Sequence, residues 1–544
     1  MMKELTPMQA ASWVGRQSDQ RLGGVAAHLY AEFDSVGLDV GRLRQAVSRL
    51  YQAHPMLRLR ITPAGQQTIE PISERYRLQI DDLRDETPQN AARRLEAKRR
   101  RNSTQKLALE QGQACDISLS LLADTRCRLH VDVDMIAADA WSFRILLEDL
   151  ARLYRQPQDA THQTDDAGIA WFRYLDKMRA DENLQRRYRR DRRWWQARLS
   201  DFAPAPRLPH DGDTQRCRSD RLAARLTSDE RRSLEKTARA HHLTPSTLFL
   251  CAFAGVLAAG CDMTRFRLNL PMFHRAPYVE AVGQIIGDFS SLVILDVTSD
   301  ANESLLAFCR RMAPQLARAI NHSHYPGVNV LRDLSRRHGS LQIAPVVFTS
   351  GFGLPGGQLF SDAVRRSLGE MNWVISQGPQ VALDAQAVEI HDGILLNWDV
   401  RLDVFPAPLI RDMFDRQLAL LRRLARDPAA LHQAPVWRQA ADRPADGSTE
   451  RLLLRLLNRL SGARTMGPDS ALGPLTAQPD AARQLLNFIN QYLPASRLTL
   501  SELQRQPSAA GLARLIVSRS PDKAEQTARR LLKALDAGRA AAPR

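Results

Sequence analysis

The sequence predicts a mixed α/β protein of two lobes of comparable length, followed by a small helical module. Three observations predict this. Segments with apolar residues at helical spacing alternate with segments of period two along the first 440 residues. A Pro-rich stretch, "FAPAPRLP" at 202–209, interrupts that alternation near its middle. After "ADRPADGS" at 441–448 only short helix-like runs remain. At 544 residues the chain is also too long for one core.

The elements follow in order. "GLDVGRLRQAVSRLYQAHPMLRLRIT" reads as a helix with Leu43, Val47, Leu50 and Tyr51 on one side, then a strand, "MLRLRIT". "RLHVDVDM" is a second strand, and "FRILLEDLARLY" a helix carrying Ile145, Leu146, Leu150 and Leu153 on one side. A basic helical stretch from Trp171 to Leu199 leads into the Pro-rich segment. Beyond it, helices near 229–241, 245–260, 303–320 and 407–426 alternate with the strands "FRLNLPMF", "SSLVILDVT", "APVVFTS", "QVALDAQAVEI" and "GILLNWDV". Thr244 and Pro245 are the expected cap and first-turn residue of the apolar run "LFLCAFAGVLAAGC". That run is too short to cross a bilayer and fits a buried helix. The predicted organisation is a first lobe 1–170, a second lobe 171–440, a helical module 448–520 and, over 521–544, a basic helix or tail.

Lys and Arg outnumber Asp and Glu by 76 to 60, a net charge of +16 that favours an acidic partner. The runs "AKRRRN" and "RRYRRDRRWW" lie in helix-like stretches and read as solvated faces. With no nucleic-acid motif beside them, nucleic acid is the disfavoured partner. The six cysteines form no C-x-x-C pair and have no His at metal spacing, and the N-terminus lacks a secretory core. The expectation is a cytoplasmic protein with no metal and no membrane contact.

One stretch carries unexpected chemistry. In "DMIAADAWS", Asp134, Asp139 and Ser142 sit in an otherwise apolar turn between strand and helix. They either cap the helix or mark a reaction centre.

Asp134-x4-Asp139-x2-Ser142 resembles the D-x4-D-x2-S signature of heterocyclization domains of nonribosomal peptide synthetases, relatives of the condensation domains. "LTPMQAASWVGR", "RRWWQARLSDFAPAPRLP", "GDFSSLVILDV", "PVVFTS" and "ISQGPQVALDAQ…LLNWDV" resemble further family segments, in order, from residue 5 to about 425. The resemblance implies two chloramphenicol-acetyltransferase-like lobes in a V-shaped pseudodimer with a tunnel between them. Two partner carrier proteins, donor and acceptor, would deliver substrates on phosphopantetheine arms. The implied reaction is amide formation with a carrier-bound Cys, Ser or Thr, then cyclodehydration to a thiazoline or oxazoline, as in siderophore pathways. No adenylation segment is present, so the protein would act in trans, free-standing, without a bound cofactor of its own.

The same resemblance implies a catalytic pair, Asp384 in "VALDAQ" as general acid/base and Thr349 in "VVFTS" as the orienting hydroxyl. Asp134, Asp139, Ser142, Arg275 and Gln377 would belong to the site in structural roles, with Arg275 the expected partner of a buried Asp139. Met135 stands where a condensation domain has its second His, and methionine transfers no proton. The segment "SQGPQVALDAQ" departs from the family pattern, with Gly378 for Thr, Ala382 for Trp and Ala385 for His. The missing Trp is expected to alter the tunnel wall beside Asp384, which keeps amide formation without ring closure as an alternative, alongside a non-catalytic scaffold. His274 in "FHR" reads as a packed or exposed histidine. The C-terminal module resembles a peptidyl carrier protein whose attachment serine is replaced by Pro479, while Ser470 lies about ten residues too early.

Overall fold

The computed structural model describes residues 2–540 except 18–19, 157–166, 211–217, 262, 301, 355–357, 435–446, 461–478, 494–496 and 506–508. The chain divides into two units, Met1–Ala434 and Pro435–Arg544.

Among its described residues the first unit holds fourteen strands: β1 (Lys3–Glu4), β2 (His28–Val36), β3 (Leu59–Ile61), β4 (Gln66–Ile69), β5 (Gln79–Asp82), β6 (Cys115–Leu121), β7 (Arg126–Asp134), β8 (Ser219–Thr227), β9 (Arg265–Phe273), β10 (Ser290–Thr298), β11 (Val346–Gly351), β12 (Glu370–Gln377), β13 (Leu383–Ile390) and β14 (Gly393–Arg401). They form a small sheet β1-β4-β3, a five-stranded sheet β12-β2-β7-β6-β5 and a six-stranded sheet β10-β9-β11-β13-β14-β8. These two larger sheets are the predicted lobes, with one exchange. Strand β12, from the second half of the chain, pairs antiparallel with β2 and completes the first sheet.

In the first sheet, Leu29, Ala31 and Phe33 alternate along β2, beside Leu129, Val131 and Val133 of β7. This apolar face packs with helices Val40–Ala53 and Ala140–Arg155 in one core. The opposite face is polar yet also buried. Tyr30 donates to Glu32 at 2.8 Å, and Arg99 of helix Pro88–Asn102 reaches Glu32 at 2.6 Å. The alternation of Leu29, Ala31 and Phe33 with Tyr30, Glu32 and Asp34 is present in "HLYAEFDSV", yet β2 is not among the expected strands, and neither are β6, β12 and the charged edge strand β8.

In the second sheet, Leu383, Ala385 and Ala387 of β13 turn into the core, where the apolar helix Pro245–Cys261 is almost wholly buried. Thr247 N–H donates to the Thr244 hydroxyl at 3.1 Å, the expected cap. The opposite face carries Asp384 and Gln386 into a cavity.

The long basic stretch divides into two helices, Ala167–Ala180 and Glu182–Gln196. Asp181 ends the first and caps the second, accepting from Asn183 and Leu184 N–H at 2.8 and 3.1 Å. The boundary drawn at 170/171 falls inside the first helix, whose Trp171, Phe172 and Leu175 belong to the first-lobe core. "MLRLRIT" is a strand only over Leu59–Ile61, after a 3-10 turn at Pro55–Arg58.

The second unit is helical: Gly447–Leu460, Pro479–Tyr492, Leu500–Arg505, Ala509–Arg519 and Pro521–Ala540. Leu453, Leu457, Leu485, Ile489, Leu512 and Ile516 build its core. The last helix is integral to it, since Ala524 and Ala528 are buried there and Glu525 accepts from Ser448 and Thr449 N–H at 2.6 and 3.0 Å. Of the two expected alternatives, Pro521–Ala540 takes the helical one, packed through Ala524 and Ala528. Pro479 is the first residue of its helix, whereas Ser470 lies outside the described residues. Among the described residues no single helix is long and apolar enough to cross a membrane.

Candidate active site

One cavity of about 520 Å³ is lined by both larger sheets of the first unit. Met135, Asp139 and Trp141 reach it from the turn after β7, and Asp288 and Ser290 from the start of β10. Thr349 contributes from β11, Asp384 and Gln386 from β13, and Gln377 and Gly378 from the end of β12.

The register of the second sheet sets the first cluster. Parallel pairing of β11 with β13 puts Val347 opposite Asp384 and Thr349 opposite Gln386. The Thr349 hydroxyl donates to Asp384 Oδ1 at 2.8 Å, and the Gln386 amide donates to Asp384 Oδ2 at 2.7 Å. The same amide donates to Asp399 Oδ2 at 3.0 Å, from the neighbouring strand β14. Asp399 is held by Arg221 of β8 through two bonds of 2.5 Å and by Ser376 N–H at 2.9 Å. Asp384 is packed round with protein while its carboxyl faces the cavity, so it keeps partial exposure. Burial, and then the nearby Asp399 carboxylate, push its pKa up to about 7 against the bonds from Thr349 and Gln386 and the Arg221 charge. Asn269 of β9, opposite Val347, lines the same wall with its buried Oδ1 unpaired among the described residues.

The turn after β7 forms the second cluster. Asp139 caps helix Ala140–Arg155 through Ser142 N–H at 2.7 Å, and its Oδ1 also pairs with Arg275 Nη2 at 3.0 Å. Both expected roles of Asp139 are therefore present together. Arg275 further donates to Ser142 Oγ (2.8 Å) and to the Val282 and Ile285 carbonyls (3.0 and 2.5 Å), and it stacks over Phe289. Ser142 Oγ donates to the Gly287 carbonyl at 2.8 Å and lies 3.1 Å from Gly287 N–H. Phe289 N–H donates to Asp139 Oδ2 at 3.3 Å. The D-x4-D-x2-S turn of one lobe is thus clasped to the G-D-F segment of the other. Asp134 sits behind this clasp, wholly buried, paired with Arg16 and accepting from Ile136 N–H at 3.0 Å. Burial raises its pKa despite Arg16.

Gln377 Nε2 donates to Ser219 at 2.7 Å, so Gln377 ties the cavity wall to β8. His274 is exposed and does not line the cavity. The alanine at position 382, where a Trp was the family expectation, does not itself reach the wall beside Asp384. Ala382 and Ala385, each 1% exposed, are absent from the lining, which is made there by Gly378, Pro379, Gln380 and Val381. Of the three departures only Gly378 meets the cavity. Gln386, Asp399, Arg221 and Asp288 were not singled out as site residues in the sequence. Gln386 was accessible through the period of two from Asp384, and Asp399 as an acid inside an apolar strand.

Two mixed sheets flank a largely apolar cavity that carries a few carboxyl, hydroxyl and amide groups, the arrangement of a condensation domain, and the comparisons agree. A family model described as "Condensation domain" matches residues 2–438. The chain belongs to the condensation domain family. It is similar to the phenyloxazoline synthase MbtB of Mycobacterium tuberculosis strain H37Rv, 43% identical over 465 residues, 82% of this chain and 32% of that protein. It is similar also to the pyochelin synthetase PchE of Pseudomonas aeruginosa strain UCBPP-PA14, 34% identical over 483 residues, 88% of this chain and 32% of that one. The chain thus spans about a third of the length of these curated relatives. The EpoB cyclization-docking bidomain of Sorangium cellulosum superposes with a TM-score of 0.69 at 29% identity, covering 79% of this chain and 86% of that one.

Proposed function

We propose that the first unit condenses a carrier-bound acyl group with a carrier-bound Cys, Ser or Thr and closes the product to a thiazoline or oxazoline, in a siderophore-type pathway. The observation that carries this reading is the Thr349–Asp384–Gln386 cluster on a cavity wall, with Asp384 poised near neutrality. Cyclodehydration takes a proton from the attacking thiol or hydroxyl and returns protons to the departing amide oxygen. A carboxyl with a pKa close to 7 holds both forms at the working pH, and such a group contributes about 10²–10⁴ in rate. Thr349 donates to Oδ1 and has lone pairs left to accept from the substrate, while Gln386 and Asp399 fix the carboxyl plane. Similarity to an oxazoline-forming synthase and to a cyclization domain supports the same reading.

The substrates would come on carriers of partner proteins. Helix Glu182–Gln196 exposes Arg186, Arg187, Arg189, Arg190, Arg192 and Arg193, a face suited to an acidic carrier. In the test, the protein is incubated with a donor acyl-carrier and a cysteinyl-carrier, and the carrier-bound product is weighed. A product one water lighter than the linear amide, lost in Asp384→Asn, is expected. A linear amide from both proteins overturns the ring-closing reading in favour of simple condensation.

A further inference from the structure

Three carboxylates line the cavity: Asp139, Asp288 and Asp384. Asp139 is committed to Arg275, Ser142 N–H and Phe289 N–H. Asp384 is committed to Thr349 and Gln386. Asp288 is different. It is 4% exposed, and Ser290 holds one oxygen, Oδ1, through its N–H at 3.0 Å and its hydroxyl. The other oxygen has no protein hydrogen bond, and no cation pairs with Asp288, among the described residues. An acid buried without a cation resists ionisation, and no ion pair among the described residues gives it a structural task.

Its position gives it a chemical one. Asp288 lies in the G-D-F segment clasped to the turn that carries Met135, and both line the cavity. Met135 cannot move a proton and Asp139 is held by Arg275, which leaves Asp288 as the acid at this end of the cavity without a cation among the described residues. Asp384 does not reach this end, because β9 and β11 stand between β10 and β13, a separation of about 14 Å at ordinary strand spacing. General-base transfer needs hydrogen-bond reach.

We propose that Asp288 accepts the amine proton during amide formation, leaving ring closure to Asp384 and Thr349; this rests on the two-stage reading above. The acceptor nitrogen attacks the donor thioester carbonyl carbon, the C–N bond forms and the C–S bond breaks. The proton lost by nitrogen passes to the Asp288 carboxylate and on to the departing thiolate, giving amide, free thiol and the regenerated carboxylate. Burial, with Asp139 and Asp134 nearby, pushes the Asp288 pKa to about 8, against the hydrogen bonds from Ser290, in the range of an amine beside a thioester. The linear amide would then shift along the cavity before it closes.

The test uses the full chain and two substrates, the donor acyl-carrier with a cysteinyl-carrier, and a preformed linear acyl-cysteinyl-carrier. Asp288→Asn is expected to slow amide formation by about 10²-fold, while closing the preformed amide within about twofold of wild type. Amide formation at the wild-type rate overturns the proposal. So does equal loss of both steps, which marks Asp288 as structural. A wild type that makes the linear amide but no ring refutes the ring-closing reading and leaves Asp288 to be judged on the first step alone.

Discussion

Replacing Asp384 by Asn should remove a pH-dependent cost from the native state. The Asp384 pKa rises from 3.8 in the unfolded chain to about 7 in the folded one. For a carboxyl raised on folding, the native state binds the proton more tightly. The stability it contributes is complete below pH 3.8 and is lost as pH rises through about 7. Between pH 5 and pH 8 that loss integrates to about 2–3 kcal/mol at 1.36 kcal/mol per unit. Asn cannot titrate. Its oxygen can still accept from Gln386, but its NH2 replaces an acceptor opposite Thr349 and makes the hydroxyl turn to accept, a change of about 1 kcal/mol that is the same at every pH. The absolute stabilities therefore mix two effects, but the change with pH isolates one. Urea unfolding followed by tryptophan fluorescence at pH 5 and pH 8 is the assay. Wild type should lose about 2–3 kcal/mol more than Asp384→Asn across that interval. Asp288 titrates in both proteins and cancels. Parallel losses would refute the raised Asp384 pKa, and with it the argument that this acid is poised for proton transfer.

Three further outcomes follow from the same geometry. Asp139→Ala leaves the Arg275 guanidinium buried without its carboxylate and removes a helix cap, so stability should fall by about 3–5 kcal/mol, with part restored by adding Arg275→Met; urea midpoints measure both. Asp399→Asn removes the charge that helps to raise Asp384 while keeping Arg221, so the acid limb of the ring-closure pH profile should move down by about 1 unit, and an unmoved limb contradicts the coupling. Gly287→Ala places a methyl 2.4 Å from the Trp171 ring; a loss of about 1–3 kcal/mol is expected, with slower turnover because the clasp to Ser142 shifts.

The legibility of this chain in its sequence divides along a physical line. Helices with one apolar stripe, such as Val40–Ala53, and strands flanked by turns, such as β10, follow from periodicity. Strand β2 alternates as well, but the burial of its polar face under Arg99 does not follow from periodicity, because it depends on which distant helix covers the sheet. In the site, the Asp139–Arg275 pair was expected, since a carboxylate in an apolar turn needs a partner. Arg221 was not, because its pairing with Asp399 depends on which strand lies beside β14, and register between distant segments leaves no local mark. The burial of Ala382 was not legible for a related reason: it shares the parity of Asp384 but precedes β13, and its N–H bonds the Pro345 carbonyl at 2.7 Å, a partner distant in sequence.

Strand β12 has a consequence for how this protein can be handled. A fragment ending in the Pro-rich segment at 202–209 would leave the β2 edge bare, an invitation to intermolecular pairing. A fragment beginning there would carry β12 as an orphan ribbon. Ser376, near the end of that ribbon, also bonds Asp399 beside the Asp384 carboxyl. Any hinging of one sheet against the other would therefore pull on the very strand that steadies Asp399, so spreading the lobes to admit a bulky donor would detune the acid at the same time.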